Sequence, residues 1–183
     1  MKPTTQLTEE HNVIKRMIRV LSSVSERIEN GEDVEPEHLS QMIDFIRTYA
    51  DKCHHAKEED LLFPAMEEAG IPRERGPIGV MLSDHDKGRA YVRGMDEALE
   101  EYSKGTGGAR KMFADNARGY MALLLAHIDK EDNVLYVMAD RHISDSRQEE
   151  LARDFEKVEA DRFGETAHER YHSMVEQLEE TYL

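Results

Sequence analysis

Two stretches of this chain repeat one pattern, with His, Lys, Glu and Leu at the same places and an aromatic residue closing each. His54-His55-Ala56-Lys57-Glu58-Glu59-Asp60-Leu61-Leu62-Phe63 aligns without a gap on His127-Ile128-Asp129-Lys130-Glu131-Asp132-Asn133-Val134-Leu135-Tyr136. Each stretch holds a histidine and a glutamate four residues apart, a spacing that points both side chains the same way from a helix. Upstream of each lies an acid-histidine step, Glu10-His11 and Asp84-His85. The separations are 43 residues from His11 to His54 and 42 from His85 to His127. The chain therefore reads as two copies of one unit, a helix carrying His followed by a helix carrying HisxxxGlu. An antiparallel up-down-up-down four-helix bundle relates two such copies by a rough two-fold axis and turns all six side chains into one cavity.

The rest of the sequence suits that architecture. Leu, Met, Ala, Glu, Lys and Arg dominate, tryptophan is absent, and alternating runs of β-branched residues are few, so the fold class is all-α. A first helix is predicted from about Thr4–Thr8 to a stop at Asn30-Gly31, with an apolar stripe through His11, Ile14, Ile18, Leu21 and Ile28. A second begins at Pro36 and is expected to end or kink at Pro64. A third presents Met81, His85, Gly88, Val92, Met95, Leu99 and Tyr102 on one face. A fourth presents Met112, Asn116, Tyr120, Leu123, Leu124, His127, Glu131, Val134 and Met138. The bundle is expected over residues 5–142, followed over 144–183 by two further helices. Ser144 or Asp145 caps the first of these and Gly164 ends it. Thr166 and Glu169 form a capping-box pattern for the last, whose stripe is Tyr171, Met174, Val175, Leu178 and Tyr182. No segment rich in Pro, Ser or charge separates them from the bundle, so one domain of 183 residues is expected.

His11, His85, His127 and Glu131 fall on faces that should be apolar. A single histidine there is ordinarily a core residue with one satisfied hydrogen bond. Several helices doing the same, with a glutamate that costs several kcal/mol to bury unless paired or metal-bound, point to a metal site. The second helix offers two pairs of equal spacing, His54 with Glu58 and His55 with Glu59. The alignment on His127 and Glu131 favours the first. So does helical phase: at about 100° per residue, His54 lies roughly 80° and His55 about 180° from the stripe centred on Ile46. Imidazole and carboxylate without thiolate suit iron or manganese, with zinc also compatible.

Glu-His on the first helix, HHAKEEDLLFP on the second, DHDKGR on the third and HIDKEDNVLY on the fourth resemble the hemerythrin-like, or HHE cation-binding, family across about residues 8–142. The ETAHERYH segment also resembles an extension common among its bacterial members. The resemblance implies two iron ions held by His11, His54, Glu58, His85, His127 and Glu131, with the carboxylates bridging them. It also implies a small ligand: oxygen, nitric oxide or peroxide. Oxygen-carrying members supply a fifth histidine through HisxxxHis on the third helix. Here Arg89 lies four residues after His85 and Met81 four before, which shifts the expectation from oxygen carriage toward sensing, a stress response, diiron enzyme chemistry (peroxide or nitric oxide reduction, or iron-centre repair), or plain iron binding and storage.

Smaller signals are Tyr120, two turns before His127; Gly88, one turn after His85; Cys53; and the pair His168 and His172. Tyr120 is expected in the core, with a place beside the metal as the alternative, Cys53 in the core, and Arg89 near the site or at the bundle end. The net charge of −15 argues against a nucleic-acid partner. No apolar run reaches the roughly 18 residues of a membrane span. The lack of an apolar leader and the lone cysteine suggest the cytoplasm.

Overall fold

The computed structural model describes residues 1–164 and 166–183, and among them it is all-helical, with no strand. Helix α1 spans Pro3–Glu29. Helix α2 covers 36–68: α-helical over Pro36–Phe45, π-helical over Ile46–His55 and again over Glu58–Leu62 with two α-helical residues between, and α-helical over Phe63–Glu68. Helix α3 spans Pro77–Ser103. Helix α4 covers 109–142, α-helical over Ala109–Lys130, π-helical over Glu131–Leu135 and α-helical over Tyr136–His142. Two further helices complete the chain, α5 over Asp145–Phe163 and α6 over Ala167–Tyr182. Helix α3 packs along α4, α4 along α1, and α2 along α3, which makes the four-helix bundle.

Two apolar cores divide the bundle lengthwise. One gathers Ile14, Ile18, Leu21, Phe45, Ile46, Val92, Met95, Phe113 and Leu124, and α6 covers it with Tyr171, Val175, Leu178 and Tyr182. The other gathers Leu7, Leu62, Phe63, Ile78, Met81, Leu135 and Tyr136, and α5 contributes Leu151 and Phe155. On every bundle helix the expected site residues fall between the two. His11 follows Leu7 and precedes Ile14; His85 lies between Met81 and Val92. The two C-terminal helices thus complete cores that the bundle alone would leave open.

Several sequence expectations are corrected. Pro64 does not end α2, which continues to Glu68. The hydrogen-bond ladder has already slipped by one residue in the π turn Glu58–Leu62, where the Phe63 N–H bonds the Glu58 carbonyl, so the missing N–H falls where the ladder is interrupted anyway. On α4, Met112 and Val134 are exposed, and the neighbouring Phe113 and Leu135 take the buried places. The second displacement has a clear cause. The π turn Glu131–Leu135 adds a residue, rotating the rest of the helix by about 100° from the α-helical extrapolation. Ser144 does cap α5, accepting from the Arg147 N–H, and Gly164, with φ of +76°, closes it. Thr166 makes no side-chain cap, so the capping box with Glu169 is not formed.

Leu178 has 2% exposure in the core shared by α6 and the bundle. Leu178→Ala is expected to cost about 2–5 kcal/mol. Urea unfolding followed by circular dichroism checks this. The loss should appear in a single transition; a separate early step confined to α6 would contradict one cooperative unit.

Candidate metal centre

The π turns are the local reason that the polar side chains face inward. Glu58 opens one and Glu131 opens the other, at matching places in the two copies. Single π turns inside α-helices frequently mark functional sites because they re-aim the residues around them. Here Glu58 and Glu131 have no exposure at all, and His11, His54, His85 and His127 are each 2% exposed or less. All six residues expected from the sequence come together at the buried centre of the bundle, in two groups of donors.

A seventh side chain joins them. His55 is buried, and its ring stacks on His85 with centroids 3.9 Å apart and planes 17° from parallel. The phase argument placed His55 opposite the stripe because it assumed 100° per residue. The π-helical run Ile46–His55 winds more slowly and carries both His54 and His55 to the inner side. The donors divide into two adjoining groups that fit two metal ions. His55, Glu58, His85 and His127 form one, and His11, His54 and Glu131 the other. Glu131 reaches both, with Oε1 2.9 Å from His127 Nε2 and Oε2 3.2 Å from His11 Nε2. Glu58 Oε2 lies 3.4 Å from His85 Nε2 and 3.8 Å from His54 Nε2.

His85 Nε2 and His127 Nε2 lie 3.1 Å apart, within hydrogen-bond range, but several of the other central atoms approach one another without a bond. His54 Nε2, Glu58 Oε2 and both oxygens of Glu131 are buried and have no hydrogen-bond partner. Buried polar atoms of a protein are nearly always satisfied, and each exception needs an explanation. Here the orphaned atoms aim at shared points, which is the arrangement a cation requires.

Behind the imidazoles stands a ring of carboxylates. Nδ1–H of His54 donates to Glu10 at 2.8 Å, that of His85 to Glu59 at 2.7 Å, and that of His11 to Asp132 at 2.7 Å. Asp84 stands behind His127 Nδ1 at 3.8 Å, beyond hydrogen-bond range. The contacts run in a closed circuit: α1 supports α2, α2 supports α3, α3 faces α4, and α4 supports α1. Asp51 adds a bond of 3.3 Å to His55 Nδ1. A carboxylate on Nδ1 fixes the tautomer and turns Nε2 toward the metal. Each carboxylate is itself held from outside by a cation. Lys57 contacts Glu10, Lys130 lies 2.5 Å from Asp84, Lys15 3.0 Å from Asp132, and Arg89 2.7 Å from both Asp51 and Glu59. Lys57 is completely buried and aligns with Lys130 in the repeat.

These contacts set the ionisation states. Burial alone would raise Glu10, but His54 and Lys57 bring its pKa down to about 2. Burial opposes the charge on His11, yet Asp132 and Glu131 raise its pKa to about 9. The same opposition, overcome by Glu131, Glu58 and Glu59, brings His85 to about 11. Burial and then the neighbouring His85 push His55 far down, so it stays neutral and able to donate its lone pair.

Two tyrosines lie close by. Tyr136 had no part in the sequence reading, yet its hydroxyl donates to Glu58 Oε1 at 2.6 Å and its ring stacks on His11 at 5.5 Å. The signal was its alignment with Phe63, a repeat position that gains a hydroxyl. Tyr120 is buried without a hydroxyl partner and lines a cavity shared with His55, His85, Gly88 and His127. Arg89, expected near the site or at the bundle end, serves Asp51 and Glu59. His168 does not pair with His172. It lies 3.4 Å from Glu159 and 4.0 Å from the buried Cys53.

Comparison with known proteins agrees with this geometry. The family model described as the hemerythrin HHE cation binding domain matches residues 2–139. Uncharacterized proteins of Mycobacterium bovis and of two Mycobacterium tuberculosis strains are each 24% identical over 175 residues, covering 96% of this chain and 68% of theirs. No solved structure matches.

The protonated His11 and His85 carry a stability signature. A histidine with a raised folded pKa stabilises the fold fully below its unfolded value of 6.5 and loses that contribution as pH climbs through the folded value. Metal-stripped protein should therefore show a falling denaturant midpoint from pH 7 to 10. Metal-loaded protein should fall less, because the bound cations replace those protons. Parallel urea titrations with and without chelator check the difference.

Proposed function

Since this chain belongs to the hemerythrin HHE cation-binding family, we propose that it holds two iron ions and binds oxygen, nitric oxide or peroxide there, in sensing or in defence against oxidative or nitrosative stress. The observation that carries this reading is the convergence of orphaned, buried His and Glu atoms on two adjoining points. His55, His85 and His127 with Glu58 would hold one ion, and His11 and His54 with Glu131 the other, each glutamate lying within reach of both. Five imidazoles and two carboxylates without a thiolate suit iron first, then manganese or zinc. Bound there, an iron pair supplies electrons and a coordination position for a small ligand.

The chain's own residues prepare that chemistry. The carboxylate ring bonds Nδ1–H of His11, His54, His55 and His85, so Nε2 is the atom that each turns toward the centre. Tyr136 holds Glu58 by Oε1 and leaves Oε2 toward the histidines. The two apolar cores exclude bulk water on both sides. His55 supplies the fifth imidazole that oxygen-carrying hemerythrins take from the third helix, which brings reversible oxygen binding back among the readings to be tested.

Protein expressed in iron-rich medium is expected to hold close to two irons per chain by elemental analysis. His54→Ala and His55→Ala should each lower that content. Unchanged content in His55→Ala would remove it from the ligand set, and metal-free wild-type protein would end the whole assignment. The reaction is read from the visible spectrum on adding oxygen, peroxide or nitric oxide. Binding without turnover supports the sensing or carrier reading; rapid peroxide consumption supports an enzyme in its place.

A further inference from the structure

A cavity of about 430 Å³ lies beside the metal centre, lined by residues of α2, α3 and α4. Its inner end is made by His55, His85 and His127, and its walls include Ile46, Val92 and Leu124. A diatomic ligand needs about the volume of one water, on the order of 30 Å³. This space takes roughly a dozen non-hydrogen atoms and falls within the size range of sites for organic ligands. The cavity is thus much larger than the small ligands of the metal reading require.

Charge distinguishes it from the rest of the surface. The chain as a whole carries −15, yet the lining includes four cations, Arg47, Lys52, Arg89 and Arg93, against two carboxylates, Asp51 and Asp84. Arg89 is committed to Asp51 and Glu59, and Arg47 to Asp96. Lys52 and Arg93 are exposed and have no carboxylate partner among the described residues. Deep inside, the Tyr120 hydroxyl is buried and unpartnered, a cost the fold would not carry without something to bond. Gly88 keeps the wall thin: a Cβ there would stand 3.7 Å from the Tyr120 ring.

We infer that this cavity binds a carboxylic acid with an apolar body and an oxygen function at its far end. The carboxylate sits at the outer rim with Lys52 and Arg93, and the body lies against Ile46, Val92 and Leu124. The far oxygen meets the Tyr120 hydroxyl beside the imidazoles of His55, His85 and His127. As a substrate class for the metal centre, this acid rests on the metal reading above. Its binding is a property of the apoprotein cavity, so it is tested separately from metal content.

The probe is ω-hydroxydecanoate, titrated calorimetrically into both metal-free and metal-loaded protein, with decanoate and decanol as references. One site per chain is expected, with affinity falling as salt rises. Decanol should bind about tenfold more weakly than decanoate, and the double variant Lys52→Gln/Arg93→Gln should lose that preference. The ω-hydroxyl should strengthen binding in wild-type protein and not in Tyr120→Phe, whose helicity is checked by circular dichroism. Absence of saturable binding to folded protein, or a charge preference that survives the double variant, would overturn the inference. An ω-hydroxyl effect that persists in Tyr120→Phe would overturn the placement of the far oxygen. Failure of these tests alongside two bound irons would leave the metal assignment standing; binding without iron would do the reverse.

Discussion

Glu58 and Glu131 sit at the centre of the bundle with no exposure, and an ionised carboxylate in such a place costs several kcal/mol unless opposite charge comes to meet it. The surrounding structure answers that cost in layers. Imidazoles face the glutamates, carboxylates stand behind the imidazoles, and lysine or arginine stands behind most of the carboxylates. Every layer opposes the one inside it, so no outer group is left as an isolated buried charge. The innermost pair is the exception. Without metal, Glu58 and Glu131 are met by the protons on His11 and His85, whose raised pKa values are the measure of that attraction. Bound cations would take over that role, so the geometry that suits a metal also makes the metal-free protein sensitive to proton loss.

The carboxylate ring also ties the site to the fold. Glu10 crosses from α1 to α2, Glu59 from α2 to α3, and Asp132 from α4 to α1, each reaching a histidine on a neighbouring helix. A shift of one helix along its axis would break contacts at two places in the circuit. The α3-to-α4 contact, Asp84 with His127, is the loosest at 3.8 Å. It is also the junction beside the cavity, which both residues line. The loosest contact of the circuit therefore lies beside the cavity, while His85, which also lines it, is held by Glu59 at 2.7 Å.

Much of this was legible in the sequence, and three of the parts that were not share one physical cause. The gapless repeat located the helices, the six central residues and the acid-histidine steps, because an i, i+4 spacing has one meaning on a helix. The apolar stripes of α1 and α6 were readable for the same reason. Phase arguments failed at π turns. His55 came inward, Leu135 replaced Val134, and Pro64 was accommodated, all because an extra residue per turn cannot be seen in a pattern read at 3.6. The roles of Glu59 and Asp132 depend on contacts between helices, which local periodicity does not encode. Their repetition beside Glu58 and Glu131 was nonetheless present in the alignment.

Among the positions where the two copies differ, two have opposite consequences for the site. His55 stands where the second copy has Ile128, and Tyr136 stands where the first has Phe63. The first exchange adds an imidazole to the group containing His85 and His127. The second places a hydroxyl and a stacked ring against Glu58 and His11. His55, His85 and His127 line the cavity, whereas His11 and His54 do not. One half of the centre is therefore closed by Tyr136 and the apolar core around it, and the other half faces open space. A two-fold scaffold with two equal sides would offer a ligand two equivalent approaches. These two exchanges set a cavity against the group with three imidazoles and a tyrosine against the other, and that asymmetry gives a two-fold scaffold a direction.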